Sequence, residues 1–319
     1  MSPTTSGAAV SPTVVAPRPT VEIKPTLAAG WPDRPDELTG YAEALLAFLN
    51  NSPVNIVRLR PMLWEWGVIS ERIGGILEAD MDGDGQVEWI AVLAEPSPVA
   101  LTVPGDLLVI KRQENDYRLL YQITGDAERD NITLLAARDI NADGKAELVY
   151  TTMACGAHTC VKVAHILAWE GKNFRSLARE RIEMAYADVM VENRDATPPL
   201  EIVLHGGTIG SVGAGPQRTR TEVYAWDGSY YALSQVIYDD SDFLYFRVAD
   251  ANAALLAGEY KKAIALYEEA VNSKTLRPWT EWVDEGKKER SDLAAFSRFR
   301  LMLTWLLAKD EAKAESFLE

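Results

Sequence analysis

The sequence predicts an α+β protein: three four-stranded, propeller-like β units, open or incomplete as a ring, between short N-terminal helices and a C-terminal helical region. Three observations carry this. Short Val/Ile/Tyr/Leu runs separated by turn residues fill about 68–240, the texture of strands. An acidic stretch recurs within that region at a near-constant interval. On either side of it, apolar residues fall at helical spacing instead.

Residues 1–34 form the first segment. Five Pro, five Thr and three Ser among the first thirty residues leave too little apolar surface for a core. The segment reads as a disordered spacer, of the kind that follows a membrane anchor or signal peptide in exported proteins. Residues 35–67 come next. Leu38, Tyr41, Leu45, Phe48 and Leu49 recur at helical spacing after Asp36, a cap candidate, and Asn50-Asn51-Ser52-Pro53 stops the helix. A second short helix carries Ile56, Leu59, Leu63 and Trp64 before Gly67.

The β region spans 68–240. DMDGDGQVEWIAVL at 80–93 matches DINADGKAELVYTT at 139–152, and NRDATPPLEIVLHG at 193–206 is a worn third copy. The anchoring acids Glu88, Glu147 and Glu201 are 59 and 54 residues apart, and Trp169 and Trp226 of a second recurring marker are 57 apart. Each unit reads as a strand before the acidic loop, a strand after it, and a hairpin. Four strands in about 57 residues is the size of a propeller blade.

The acidic loops have calcium chemistry. Asp80, Asp82, Asp84 and Glu88 stand at positions 1, 3, 5 and 9, with Gly85 at position 6 and the Gln86 carbonyl at position 7. Calcium takes six to eight hard oxygens in a tolerant geometry, and a tightly curled loop aims alternate side chains inward. The second loop repeats the pattern with Asp139, Asn141, Asp143, the Lys145 carbonyl and Glu147. Two Ca2+ ions are expected. The third loop, Asn193, Asp195, Thr197 and Glu201, has Pro198 in place of the Gly and reads as degenerate. Flanking strands and an acid at position 9 distinguish these loops from an EF-hand, with its helices and its Glu at position 12.

Taken together, these repeats resemble the FG-GAP/VCBS-type repeats of extracellular β-propellers, over about 68–240. The resemblance implies structural calcium, an exported location, and adhesion or ligand binding. The Phe-Gly/Gly-Ala-Pro signature itself is missing, and three blades are fewer than the four to eight of closed rings. The terminal helices are therefore expected to cover the two free sides, which favours a monomer; a symmetric dimer pairing two arcs is the rival arrangement.

Residues 241–319 are helical. Gly258, Tyr260, Ala263, Tyr267, Ala270 and Pro278 fall where a tetratricopeptide repeat places its small, aromatic and terminating residues, and LLAKDEAKAESFL at 306–318 aligns with LLAGEYKKAIALY at 255–267. The resemblance implies helix pairs that bind partners. Asp239-Asp240-Ser241-Asp242 reads as the capped start of this region.

Other features bound the function. With 47 acids against 32 bases the net charge is −15, which argues against nucleic-acid binding. No stretch reads as a transmembrane helix. Cys155 and Cys160 read as a local disulfide, with free thiols or a zinc knuckle including His158 and His165 as alternatives. The glycine-rich stretch 206–215 lacks the Lys-Ser/Thr of a phosphate loop and reads as a hairpin tip. It occupies the same connection as the Cys hairpin and Glu95-Pro96-Ser97-Pro98, and long loops on a rigid scaffold are where binding concentrates. No catalytic motif is present. The expectation is a non-catalytic, extracytoplasmic, calcium-stabilised protein that binds a protein or glycan. A polysaccharide-acting hydrolase or lyase with structural calcium, or a structural spacer, are the alternatives.

Overall fold

A computed structural model describes residues 31–71, 74–95, 103–123, 130–194, 197–211, 213–280 and 283–316. Residues 1–30 of the expected spacer lie outside the described residues, as do Asp195 and Pro96-Ser97-Pro98. Packing begins at Trp31, which lies against the first core. Trp66 Nε1 donates to the Pro32 carbonyl, and Arg34 donates to the Trp66 carbonyl, both at 3.2 Å.

Two helices follow, α1 (Tyr41–Asn51) and α2 (Ile56–Glu65), each led by a 3-10 turn. Asp36 does not cap α1, whose N-cap is Gly40 behind the turn Leu38–Gly40. Leu45, Leu49, Leu59, Met62 and Leu63 form the buried faces of the two helices. Trp64, expected on that face, is 43% exposed; Trp66, just past the helix end, takes the buried place at 5%.

Three antiparallel sheets come next. The first is β1 (Gly75–Ala79), β2 (Glu88–Ala94), β3 (Gly105–Gln113) and β4 (Asp116–Gln122), in that order. The second is β5 (Thr133–Arg138), β6 (Glu147–Cys155), β7 (Cys160–Trp169) and β8 (Phe174–Ser176). The third is β10 (Asp188–Glu192), β11 (Glu201–Gly206), β12 (Arg220–Trp226) and β13 (Tyr231–Tyr238). The second sheet departs from the four-strand expectation. β8 is only three residues long, and β9 (Ile182–Ala185) takes up pairing with β7 from Val161 to Ala164. The hairpin turns of the three units place Glu114, Gly171 and Gly228, each 57 residues from the next, at positive φ.

Burial on both faces explains why the central strands read as unbroken apolar runs rather than alternating ones. Ala91, Leu93, Leu108 and Ile110 of the first sheet pack against α1 and α2. Ile90, Val92, Leu107 and Val109 on its other face pack with Leu148, Tyr150 and Leu167 of the second sheet. Val149, Ala164 and Ile166 on the far side of the second sheet meet Ile202, Leu204, Tyr224 and Tyr231 of the third. Helices and sheets are thus stacked in series. The leading strands β1, β5 and β10 lie side by side. Asn50 seals the outer strand β4, accepting from the Tyr117 amide at 2.6 Å and donating to its carbonyl at 3.1 Å.

The helical region comprises α3 (Leu244–Leu256), α4 (Tyr260–Asn272), α5 (Val283–Leu307) and α6 (Glu311–Glu315). It has its own core around Leu244, Val248, Ala263, Tyr267 and Leu301. It meets the third sheet through Arg218, which grips Asp250 with two nitrogens at 2.5 and 2.8 Å and lies over the rings of Tyr238 and Phe246. The α3–α4 and α5–α6 turns match across 51 residues. Gly258 and Lys309 both have positive φ, and the amides at 258 and 309 donate to the carbonyls at 255 and 306. The acids before α3 do not cap it. The N-cap is Phe243, with no side-chain bond; Asp242 pairs with Arg277, and Asp239 turns to His205 and Thr219.

Candidate metal centre

The acidic loops join the first two strands of each sheet, so all three lie at the same end of their sheets. A reverse path this tight needs left-handed residues. Gly83 and Ala142 at position 4, and Gly85 and Gly144 at position 6, all have positive φ. The anchoring glutamate then closes each loop. Glu88 accepts from the Met81 amide at 2.8 Å, Glu147 from the Ile140 amide at 2.9 Å, and Glu201 from the Arg194 amide at 3.2 Å.

Loops 1 and 2 share most of the rest of the frame, loop 2 adding a bond from the Asn141 amide to Glu147 at 3.4 Å. Asp80 accepts from the amides of Gly83 and Gly85 at 2.8 and 2.9 Å; Asp139 accepts from Ala142 and Gly144 at the same distances. Asp84 and Asp143 each accept from the amide two residues on, Gln86 and Lys145. Among the described residues loop 3 keeps only the glutamate bond, and the Leu200 amide ties it to the Ile140 carbonyl of loop 2 at 2.7 Å. Asn193 and Thr197 make no equivalent bond among the described residues.

The charges of loops 1 and 2 are arranged differently. Oxygens of Asp80, Asp82 and Glu88 lie within 4.8 Å of one another, a grouping able to hold a cation. Lys111 Nζ already reaches into it. It pairs with Asp82, with Asp84 at 2.6 Å and with Glu88 at 3.4 Å. The Lys111 hydrogen bond holds the Asp84 carboxyl below its ordinary range. Burial works against the Lys111 charge, but hydrogen bonds to Asp82 and Asp84 and the charge of Glu88 keep the ammonium above its ordinary range. Burial, with the charge of Asp82 adding to it, raises the Glu88 carboxyl.

In loop 2 no Lys or Arg among the described residues pairs with Asp139, Asp143 or Glu147. Asn141 Nδ2 bridges Glu147 at 3.1 Å and Asp143 at 3.3 Å. Glu147 is fully buried, and burial together with the charges of Asp143 and Asp139 pushes its carboxyl up to about 7. Three carboxylates and the Lys145 carbonyl are oxygen donors, and Asn141 Oδ1, which accepts from the Asp143 amide at 2.8 Å, joins them only by turning from that bond; a buried carboxylate without a counter-charge is costly. Among the described residues the carboxylates drawn close enough together to share a cation are the loop 1 trio, and those of loop 2 stand further apart around the buried Glu147. In loop 1 the ammonium occupies the space that Asp82, Asp84 and Glu88 would share around one.

At the opposite end of the sheets lie the connections between their second and third strands, long in the first and third sheets but a four-residue turn in the second, where a long connection was expected. Cys155 and Cys160 are disulfide-bonded across the β6–β7 hairpin, which removes the zinc alternative. His165 is committed elsewhere: its ring stacks on Tyr150 at 4.5 Å and its Nε2 lies 3.0 Å from Thr152 Oγ1. The glycine-rich loop rests on the Cys hairpin. The Gly210 amide donates to Thr159 Oγ1 at 3.2 Å, and Tyr186 Oη donates to the His158 carbonyl at 2.9 Å. One cleft opens on this side, and a second runs from it along β10 to loop 3. The first, of ≈ 590 Å³, is lined by β1, β5 and the β2–β3 junction, including Arg60 and Asn131. The other, of ≈ 630 Å³, includes Lys162, Asp188, Glu192, Arg194 and His205.

Several of these residues carry little or no signal in the sequence. Lys111 carried a signal, a lone Lys closing the apolar run Leu107–Ile110, where the other two units have Ala168 and Ala225. Tyr231 and the His205–Asp239 pair, at 2.8 Å, carried none, because each joins segments far apart in the chain. The described residues include no helix long and apolar enough to cross a membrane. The chain matches no protein-family model and no curated protein.

Proposed function

We propose that this is a non-catalytic, extracytoplasmic binding protein. Its propeller-like β scaffold, resembling FG-GAP/VCBS-type repeats, is braced by calcium at one end and contacts a protein or glycan ligand at the other. The observation that carries the reading is the shared frame of loops 1 and 2, with buried Glu147 in a cluster of carboxylates that lacks a basic partner among the described residues. Asp139, Asn141, Asp143, the Lys145 carbonyl and Glu147 would hold the ion. Calcium supplies charge neutralisation and fixed loop geometry there, and its binding free energy adds to folding through linkage.

Ligand contact is assigned to the opposite end, where two long loops and one cleft border a scaffold buried on both faces. The Cys155–Cys160 disulfide suits an oxidising compartment. The helical region, similar to tetratricopeptide repeats, offers a second surface for a protein partner. The test is thermal unfolding with calcium and with chelator. Calcium raises the melting temperature of the wild type and leaves Asp143→Ala unmoved. Superimposable wild-type melts would remove calcium from the account. A glycan array with a turnover readout addresses the ligand, and product formation would replace the binding reading by an enzymatic one.

A further inference from the structure

We propose that Lys111 is the resident cation of the first acidic loop, and that the protein therefore takes one calcium ion, in loop 2, rather than two. The inference rests on the calcium reading of loop 2 for its count, but not for the role of Lys111.

The strand register makes the comparison. Trp89 pairs with Ile110, so the next position along places Lys111 beside Glu88. In the second sheet Glu147 pairs with Ala168, and in the third the Ile202–Tyr224 pair puts Ala225 beside Glu201. One position in three related sheets is thus Lys, Ala and Ala. The lysine accompanies a second change. Loop 1 has Asp82 where loop 2 has Asn141, so of these two loops the one with the extra carboxylate also has the ammonium; loop 3 has Asp195 there but lacks acids at its first and fifth positions.

The ammonium sits inside the loop. Its side chain is 14% exposed, and it meets Asp82, Asp84 at 2.6 Å and Glu88 at 3.4 Å. Glu88 Oε1 is buried with no hydrogen-bond donor, and the ammonium is its counter-charge. A lysine ammonium is a compact point charge with three donors, suited to filling a gap between carboxylates. A calcium ion needs these same carboxylates and would be repelled by the ammonium among them. A tethered cation costs no second molecule, so loop 1 stays closed whatever the calcium concentration.

The test is ion counting by equilibrium dialysis and calorimetric titration with calcium, on the chelator-treated full chain. Four proteins are compared: wild type, Lys111→Met, Asp143→Ala and the double variant. Lys111→Met keeps the stem and removes the charge. The expected counts are one, two, zero and one. A wild type that binds two ions, with one surviving in Asp143→Ala, overturns the inference, and this comparison does not require the Lys111 variant to fold. A Lys111→Met protein that binds no more than the wild type also overturns it. A count of zero in the wild type and one in Lys111→Met upholds the role of Lys111 and defeats the calcium reading of loop 2.

Discussion

Tyr231→Phe tests whether the candidate calcium loop and the third sheet are one mechanical unit. Tyr231 is fully buried, and its hydroxyl crosses 91 residues of sequence to donate to the Ile140 carbonyl at 3.0 Å. Burial, reinforced by the charges of Glu147, Asp139 and Asp143, keeps that hydroxyl protonated. The Ile140 carbonyl also accepts from the Leu200 amide at 2.7 Å, so removing the hydroxyl does not orphan it. The loss is one net hydrogen bond, about 1 kcal/mol, rather than the roughly 1–3 kcal/mol of an unsatisfied buried group. Tyr231→Leu, which also removes the ring packed 5.3 Å from Trp226, should cost about 3 kcal/mol. Native-state hydrogen exchange of β6 and β11 amides reads this locally, without interference from the helical region. About 1 kcal/mol corresponds to roughly fivefold faster exchange in both strands. Faster exchange confined to β13, or an effect equal to that of Tyr231→Leu, would refute the linkage.

Three further outcomes are expected. Replacing Cys155 and Cys160 by Ser releases a six-residue loop and lowers β-unit stability by roughly 2 kcal/mol in urea titrations, and an unreduced, denatured wild-type chain should show no free thiol. His165 is held neutral, its imidazole lowered to about 4 by burial and by Arg181, so the unfolded chain takes up a proton below its ordinary 6.5 that the fold refuses. The stability it contributes is complete above pH 6.5 and is lost as pH falls towards 4; His165→Phe should flatten that part of the urea midpoint curve, and parallel curves would contradict the assignment. Gly74→Ala should cost about 2–3 kcal/mol in the urea titration, since φ is +66° and the new Cβ falls 2.6 Å from the Val92 carbonyl oxygen and 2.8 Å from that of Val68. Gly83→Ala, with positive φ but open space, should cost only about 1 kcal/mol.

What was legible in the sequence was what repeats locally. The strand runs, the acidic loops and the hairpin turns recur at a fixed interval, so the three sheets and their order could be read from the periodicity. Helix content followed from spacing, down to the paired turns at Gly258 and Lys309. What was not legible depends on which face meets which neighbour. The capping expectations for Asp36 and Asp239–Asp242 failed because a 3-10 turn intervenes in one case and long-range partners claim the acids in the other. The shortening of β8 and the recruitment of β9 depend on β7 being long enough to pair with both. In the candidate site, loops 1 and 2 read as calcium loops of one pattern, with four acids in the first and three plus Asn141 in the second. A further difference lies on β3, more than twenty residues downstream of loop 1, and only the register brings Lys111 beside Glu88.

The most direct measurement is a crystal structure grown in calcium. The expected result is an ion coordinated by oxygens of Asp139, Asn141, Asp143, Lys145 and Glu147, with Lys111 Nζ still among Asp82, Asp84 and Glu88. Density for water alone in loop 2 would contradict the calcium reading, and an ion in loop 1 with Lys111 turned out to solvent would contradict the tethered cation.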